Sequence, residues 1–151
     1  MSFDENSRCM NRWLKAVDSG DEAAVFALID ELVLDTYVLH TGGSTLSDPR
    51  DVMGREGLRE HTRAAYRTFG NMQHIVEDEF GDDDRLATRV RFRAIHKGEF
   101  LGIAPTGRVI ECTIIYIHHF SGGKIQECWL DWDSLLRLSV QLAAASQAQR
   151  A

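Results

Sequence analysis

Only three cysteines occur in the 151 residues, Cys9, Cys112 and Cys128, with wide, unrelated spacings and no C-x-x-C pair. That excludes a zinc knuckle and a disulfide framework, and the expectation is three small buried hydrophobes. No apolar run approaches the ~20 residues that a membrane helix needs. The opening Met1-Ser2-Phe3-Asp4-Glu5 has neither the basic start nor the greasy centre of a secretory signal, so the cytoplasm is the expected location. Positive charge is also scarce. Seventeen Lys and Arg against 23 Asp and Glu leave a net charge of −6, which argues against nucleic acid, because that kind of binding relies on cations neutralising phosphates.

What is present is an ordinary globular balance, 44% hydrophobic and 26% charged, with enough chain for one domain to bury a real core. The expectation is a single domain over residues 1–151 whose ends, 1–5 and 144–151, fray. Ser2-x-x-Glu5 reads as a capping box, and Met10, Trp13, Leu14 and Val17 recur on one helical face up to Ser19-Gly20. Asp21 and Glu22 suit the start of a second helix with the stripe Val25, Leu28, Ile29 and Leu32. The β-forming run from Val33 to His40 predicts a short strand, and the residues from Thr41 to about Gly54 a loop forming a rim. Leu58, Thr62, Ala65 and Phe69 then mark a third helix ending at Gly70-Asn71, with His61 on the edge of its stripe.

From Met72 the apolar period becomes two. A strand to Phe80 meets the turn Gly81-Asp82-Asp83-Asp84, and a second strand runs from about Leu86 to His96. Val90, Phe92, Ala94 and His96 share one face of it, while Arg89, Arg91 and Arg93 share the other, which reads as solvated. After a loop punctuated by Gly102, Pro105 and Gly107, the runs Arg108 to Phe120 and Lys124 to Asp133 are joined by Ser121-Gly122-Gly123, a hairpin signal. Residues from Ser134 onward read as a Leu-rich helix. The predicted architecture is α+β: a curved antiparallel sheet whose inner face is covered by the N-terminal helices, with a pocket between them.

Three motifs carry a resemblance. They are Gly54-Arg55-Glu56-Gly57, the loop His96-Lys97-Gly98-Glu99-Phe100-Leu101-Gly102-Ile103-Ala104-Pro105-Thr106-Gly107, and Gly123-Lys124-Ile125 followed by Glu127-x-Trp129. With the closing Asp133, Leu135, Leu136, Leu138 and Gln141-Leu142, they resemble the SnoaL-like polyketide cyclases. That family shares the cone-shaped, cystatin-like fold of nuclear transport factor 2, ketosteroid isomerase and limonene epoxide hydrolase. The resemblance implies a cofactor-free enzyme acting by acid–base chemistry on a small hydrophobic ketone or polyketide-like substrate, and a homodimer formed through the outer sheet face.

In the family an Asp on the last strand serves as general acid/base, assisted by a pocket His. Aligned on Gly123-Lys124-Ile125, that Asp falls on Leu130 and the His on Tyr116, while Cys128 stands where many relatives have another His. Leucine cannot exchange a proton. Moving the role to Asp131 needs a one-residue slip that turns the side chain to the opposite face. The candidate catalytic groups are therefore Tyr116, His118 and His61, with Asp131 if the strand bulges. Tyr116 is suited to donate to a developing enolate oxygen and the imidazoles to act as base.

The expected substrate wall is Trp13, Phe92, His96, Cys128, Leu130 and Trp132. Against these roles stand bland ones: His96 tying the loop, Asp133 or Ser134 capping the last helix, Tyr116 packing in the core. His118 and His119 cannot share a metal ion, because neighbouring strand residues face opposite sides. Neither metal nor cofactor is expected. Two further readings stay open. One is a non-catalytic pocket for a small apolar ligand, favoured by Leu130. The other is a limonene-type epoxide hydrolase, which needs Arg91 or Arg93 with Asp131 or Asp133 facing inward.

Overall fold

A computed structural model describes residues 2–41, 51–100, 102–131, 142–144 and 147–150. Helix α1 (Phe3–Ser19) begins on a complete capping box, with Ser2 Oγ accepting from the Glu5 N–H at 3.3 Å and Glu5 Oε2 accepting from the Ser2 N–H at 2.7 Å. The first turn, expected to fray, is thus tied down. It ends at Gly20, whose φ of +72° suits a residue without Cβ, and Asp21 then caps α2 (Glu22–Leu32) through the Ala24 N–H.

Strand β1 (Val33–His40) follows directly, then β2 (Val52–Met53) and α3 (Gly54–Thr68). β2 lies within the stretch read as loop, and two residues are too few to show a period. Its pairing Val38↔Met53 makes it the antiparallel edge of the sheet. Strands β3 (Phe69–Gly81), β4 (Arg85–His96), β5 (Val109–Ser121) and β6 (Lys124–Asp131) complete a six-stranded sheet in the order β2-β1-β6-β5-β4-β3. All neighbours are antiparallel except β1 and β6, which run parallel.

Helix α3 stops at Thr68, earlier than Gly70-Asn71. That pair lies instead in an irregularity of β3 between Gly70 and Gln73, where Asn71 takes a φ of +50°. A second shift between Val76 and Asp78 exchanges the inward parity of the strand. Beyond it Glu79 accepts from Ser7 Oγ of α1 at 2.6 Å. Near the same end Asn6, fully buried, donates through Nδ2 to the carbonyls of Asp82 and Asp83, fastening α1 to the β3–β4 turn.

Alternation on β4 holds throughout. Leu86, Thr88, Val90, Phe92, Ala94 and His96 are buried and Arg89, Arg91 and Arg93 are exposed on the outer face. Arg89 and Arg91 stand 3.8 Å from Glu77 and Glu111, half-exposed pairs worth ~1 kcal/mol at most. The three cysteines are buried thiols outside any disulfide. Among the described residues no helix is long and apolar enough to cross a membrane.

Candidate active site

A cavity of about 100 Å³ lies between the concave sheet face and the helices. At roughly 10–15 Å³ per water, it has room for something several times larger than a water molecule. Trp13, Leu14 and Val17 reach it from α1, and Leu58, His61 and Thr62 from α3. The sheet supplies Tyr37, His74, Phe92, Ile114, Tyr116, His118, Cys128 and Leu130, among others. Even parity on β5 turns Tyr116 and His118 inward, and pairing with β6 sets Leu130 beside Tyr116 and Cys128 beside His118.

Every polar group on this wall meets a low-dielectric environment. Burial lowers the pKa of His61 and of His118 to about 4, so both rings are neutral at pH 7; the neighbouring His119 adds to the effect on His118. Burial also raises the Tyr116 phenol, with smaller contributions from Cys128, Cys112 and Asp18. Tyr37 and Cys128 are raised chiefly by burial too, and the Cys128 thiol donates to the Trp129 carbonyl at 3.5 Å. The Thr62 hydroxyl is spent on the Leu58 carbonyl at 2.9 Å.

Three groups are left over. Among the described residues the buried His118 Nδ1 has no hydrogen-bond partner, and neither the Tyr116 hydroxyl nor the His61 ring has one. A buried atom such as His118 Nδ1 costs ~1–3 kcal/mol unless something fills the space and pairs with it, while the Tyr116 and His61 side chains are half-buried.

The structure brings Tyr116, His118, His61, Trp13, Phe92, Cys128 and Leu130 to the one cavity and leaves two candidates outside it. Asp131 pairs with Ile115 on the outer face and is exposed, so no bulge carries it inward. His96 is fully buried beside the loop after β4. Its Nδ1 accepts from the Thr106 N–H at 3.2 Å and lies 3.0 Å from Thr106 Oγ1, which makes it a loop tie. An Nδ1 that accepts from a main-chain N–H is unprotonated, and burial lowers the pKa of this ring. Trp132, Asp133 and Ser134 lie outside the described residues, as does most of the expected rim from Gly42 to Arg50. With Arg91, Arg93 and Asp131 all outward, the inward Arg and Asp set of an epoxide hydrolase is not built from them.

One pair was missed. His74 lines the cavity, its Nδ1 is 2.5 Å from Asp18 Oδ1, and its main-chain N–H donates to Asp18 Oδ2 at 2.8 Å. The side chains are 6% and 25% exposed. The end of α1 that carries Asp18 is held by Tyr66 Oη, which donates to the Val17 carbonyl at 2.9 Å. The available signal was parity with Met72 for His74, and the Leu14 to Asp18 step of one helical turn for Asp18. Among the described residues no three His, Cys, Asp or Glu side chains are placed to hold one metal ion.

A sheet curled around an apolar cavity roofed by N-terminal helices, with a few polar groups on its wall, defines a small-molecule pocket protein of the cone-shaped α+β class. The chain belongs to the SnoaL-like polyketide cyclase family, whose profile matches residues 7–142. Solved structures agree on the fold. A candidate SnoaL-like polyketide cyclase from a Jannaschia species has a TM-score of 0.78 at 19% identity, covering 93% of each chain. IdmH from Streptomyces antibioticus, a candidate polyketide cyclase, has a TM-score of 0.72 at 27% identity, covering 92% of this chain and 96% of its own. A protein with a ketosteroid isomerase-like fold from Catenulispora acidiphila, solved in complex with trimethylamine, has a TM-score of 0.70 at 12% identity, covering 89% of this chain and 92% of its own. No curated protein gives a significant match.

Proposed function

We propose that the chain is a cyclase or isomerase that performs cofactor-free proton transfer on a small, uncharged, hydrophobic ketone or polyketide-like compound. The observation that carries this reading is the buried, unpaired His118 Nδ1, with the Tyr116 hydroxyl and the His61 ring on the same largely apolar wall. A cavity meant only for packing would satisfy or lack such groups. Among the described residues no Lys, Arg, Asp or Glu lines the cavity, so a charged substrate would be desolvated with nothing to compensate it. Tyr116 keeps its proton at any working pH and so remains a donor to the oxygen on which enolate charge develops.

Leu130 at the usual acid position favours the second reading, a binder without catalysis, and a measurement separates the two. Deuterium exchange at the α-carbons of 2-tetralone is expected to be accelerated by the protein, and Tyr116→Phe to lose roughly 10²-fold of that rate. An unchanged rate in Tyr116→Phe and His118→Ala sinks the catalytic reading. The homodimer is part of the same proposal. Ile75, Ile117 and Trp129 stay about 40% exposed on the outer sheet face, and sedimentation is expected to give twice the chain's 17.1 kDa. A monomer at micromolar concentration removes that part.

A further inference from the structure

We infer that the proton acceptor of this chain is His74, held by Asp18, and that the pair does the work of the last-strand carboxylate whose place Leu130 fills. The inference rests on the catalytic reading above and deepens it. Removing a proton from carbon requires a lone pair at the cavity, a single tautomer, and some means of accommodating the cation that forms. Each candidate on the wall is judged by those needs.

His118 and His61 fail the last of them. Among the described residues neither has a carboxylate beside it. Tyr116 is an acid too weak to give up its proton and serves as a donor. Asp131 faces the other side of the sheet. His74 meets all three needs. An ionised Asp18 only accepts hydrogen bonds, so Nδ1 carries the hydrogen and Nε2 is left with the lone pair. The second carboxylate oxygen is held by the main-chain N–H of the same residue, which fixes carboxylate and ring relative to one another. Phe92 packs against the imidazole at 4.9 Å between centroids and limits its rotation.

The step balances without any co-reactant. The α C–H bond breaks, its electron pair enters the new C=C bond, and the carbonyl pair moves onto oxygen, where the Tyr116 hydroxyl meets it. The proton forms an N–H bond at His74 Nε2, beside the negative charge of Asp18, and returns to carbon at the same or another position. His74 is thus a catalytic residue and Asp18 a positioning residue. The titratable groups around them are Tyr66 on α3, which bonds beside Asp18, and Tyr116 on β5, which feels its charge.

The test uses two probes on the whole chain. The first is α-deuterium exchange of 2-tetralone. The second is the fluorescence-monitored binding of 2-naphthol, the planar aromatic counterpart of its enol. His74→Gln is expected to lose roughly 10²- to 10⁴-fold of the exchange rate, while binding 2-naphthol within about threefold of wild type. Asp18→Asn is expected to lose at least ~10-fold, again at unchanged binding, together with the far-downfield proton resonance of an imidazole N–H bonded to carboxylate. If His74→Gln binds and exchanges like wild type, the assignment is overturned while the catalytic reading survives. If it does not fold, Asp18→Asn decides, and wild-type exchange there overturns the assignment. Wild-type protein that binds 2-naphthol but leaves exchange at the buffer rate removes both.

Discussion

Between pH 6.5 and pH 4 the protein is expected to lose on the order of 5 kcal/mol of unfolding free energy, because two desolvated cavity imidazoles, His118 buried and His61 half-buried, refuse protons that the unfolded chain accepts. His61 and His118 each sit near pKa 4 in the fold, held there by burial, against 6.5 as the ordinary value. A depressed folded pKa means that the contribution is complete above about 6.5 and is lost as pH falls through the folded value. Each ring accounts for ~3 kcal/mol at most, since a tenfold difference in proton affinity between folded and unfolded chain corresponds to ~1.4 kcal/mol. Together they are comparable with the 5–15 kcal/mol that usually holds a domain.

His40 works in the opposite sense. Its ring lies 2.9 Å from Asp51 and 2.7 Å from Glu127, and its pKa is raised chiefly by Glu127, so its contribution is present in acid and is lost as pH rises through the raised value. At 28% side-chain exposure, with partners 46% and 31% exposed, it does not offset the two desolvated cavity rings. Urea titrations at pH 7, 5.5 and 4 check the prediction, and His118→Phe should remove about half of the acid loss. A stability that stays flat from pH 6.5 to 4.5 would mean that the cavity lets water reach both rings.

How much of this was legible follows from where parity survives. Between β4 and β5 the register runs unbroken from Arg85 to Ile95, so alternation alone turns Phe92, Tyr116 and His118 inward and the arginines outward. The same rule settles Asp131, whose place opposite Ile115 needs no bulge. On β3 the rule breaks twice, between Gly70 and Gln73 and between Val76 and Asp78. Only the stretch between the breaks keeps one parity, which turns Met72, His74 and Val76 the same way. Asp18 and His74 are 56 residues apart, and only the packing of α1 along β3 joins them. The motifs were likewise informative about fold and less so about chemistry. His96 belongs to the most specific of them, yet it ties a loop.

Gly98 in that same motif is expected to be among the least replaceable residues of the chain, and its reason is contact rather than backbone dihedral. A Cβ added there would stand 2.1 Å from the Arg67 carbonyl oxygen, 2.9 Å from its carbon and 3.0 Å from Thr68 Cα. All three are backbone atoms at the junction of α3 and β3, so no side chain can swing aside. The N–H groups of Lys97 and Gly98 both donate to the Thr68 carbonyl, at 2.9 and 3.0 Å, drawing the two segments together. Gly98→Ala must push them apart and give up both bonds. The displacement also reaches Phe69, whose ring meets Phe92 at 5.4 Å and Phe100 at 5.5 Å and which lines the cavity. A loss above ~4 kcal/mol is expected, the range seen when a buried network is broken. Gly102 provides the contrast. Its φ of +76° disfavours a side chain, but a Cβ there meets nothing within 4 Å, so Gly102→Ala should cost only the left-handed strain of ~1–2 kcal/mol. Equilibrium denaturation of the two variants separates contact from strain, and similar losses in both would show that the segments part easily and that the close approach is not what requires glycine.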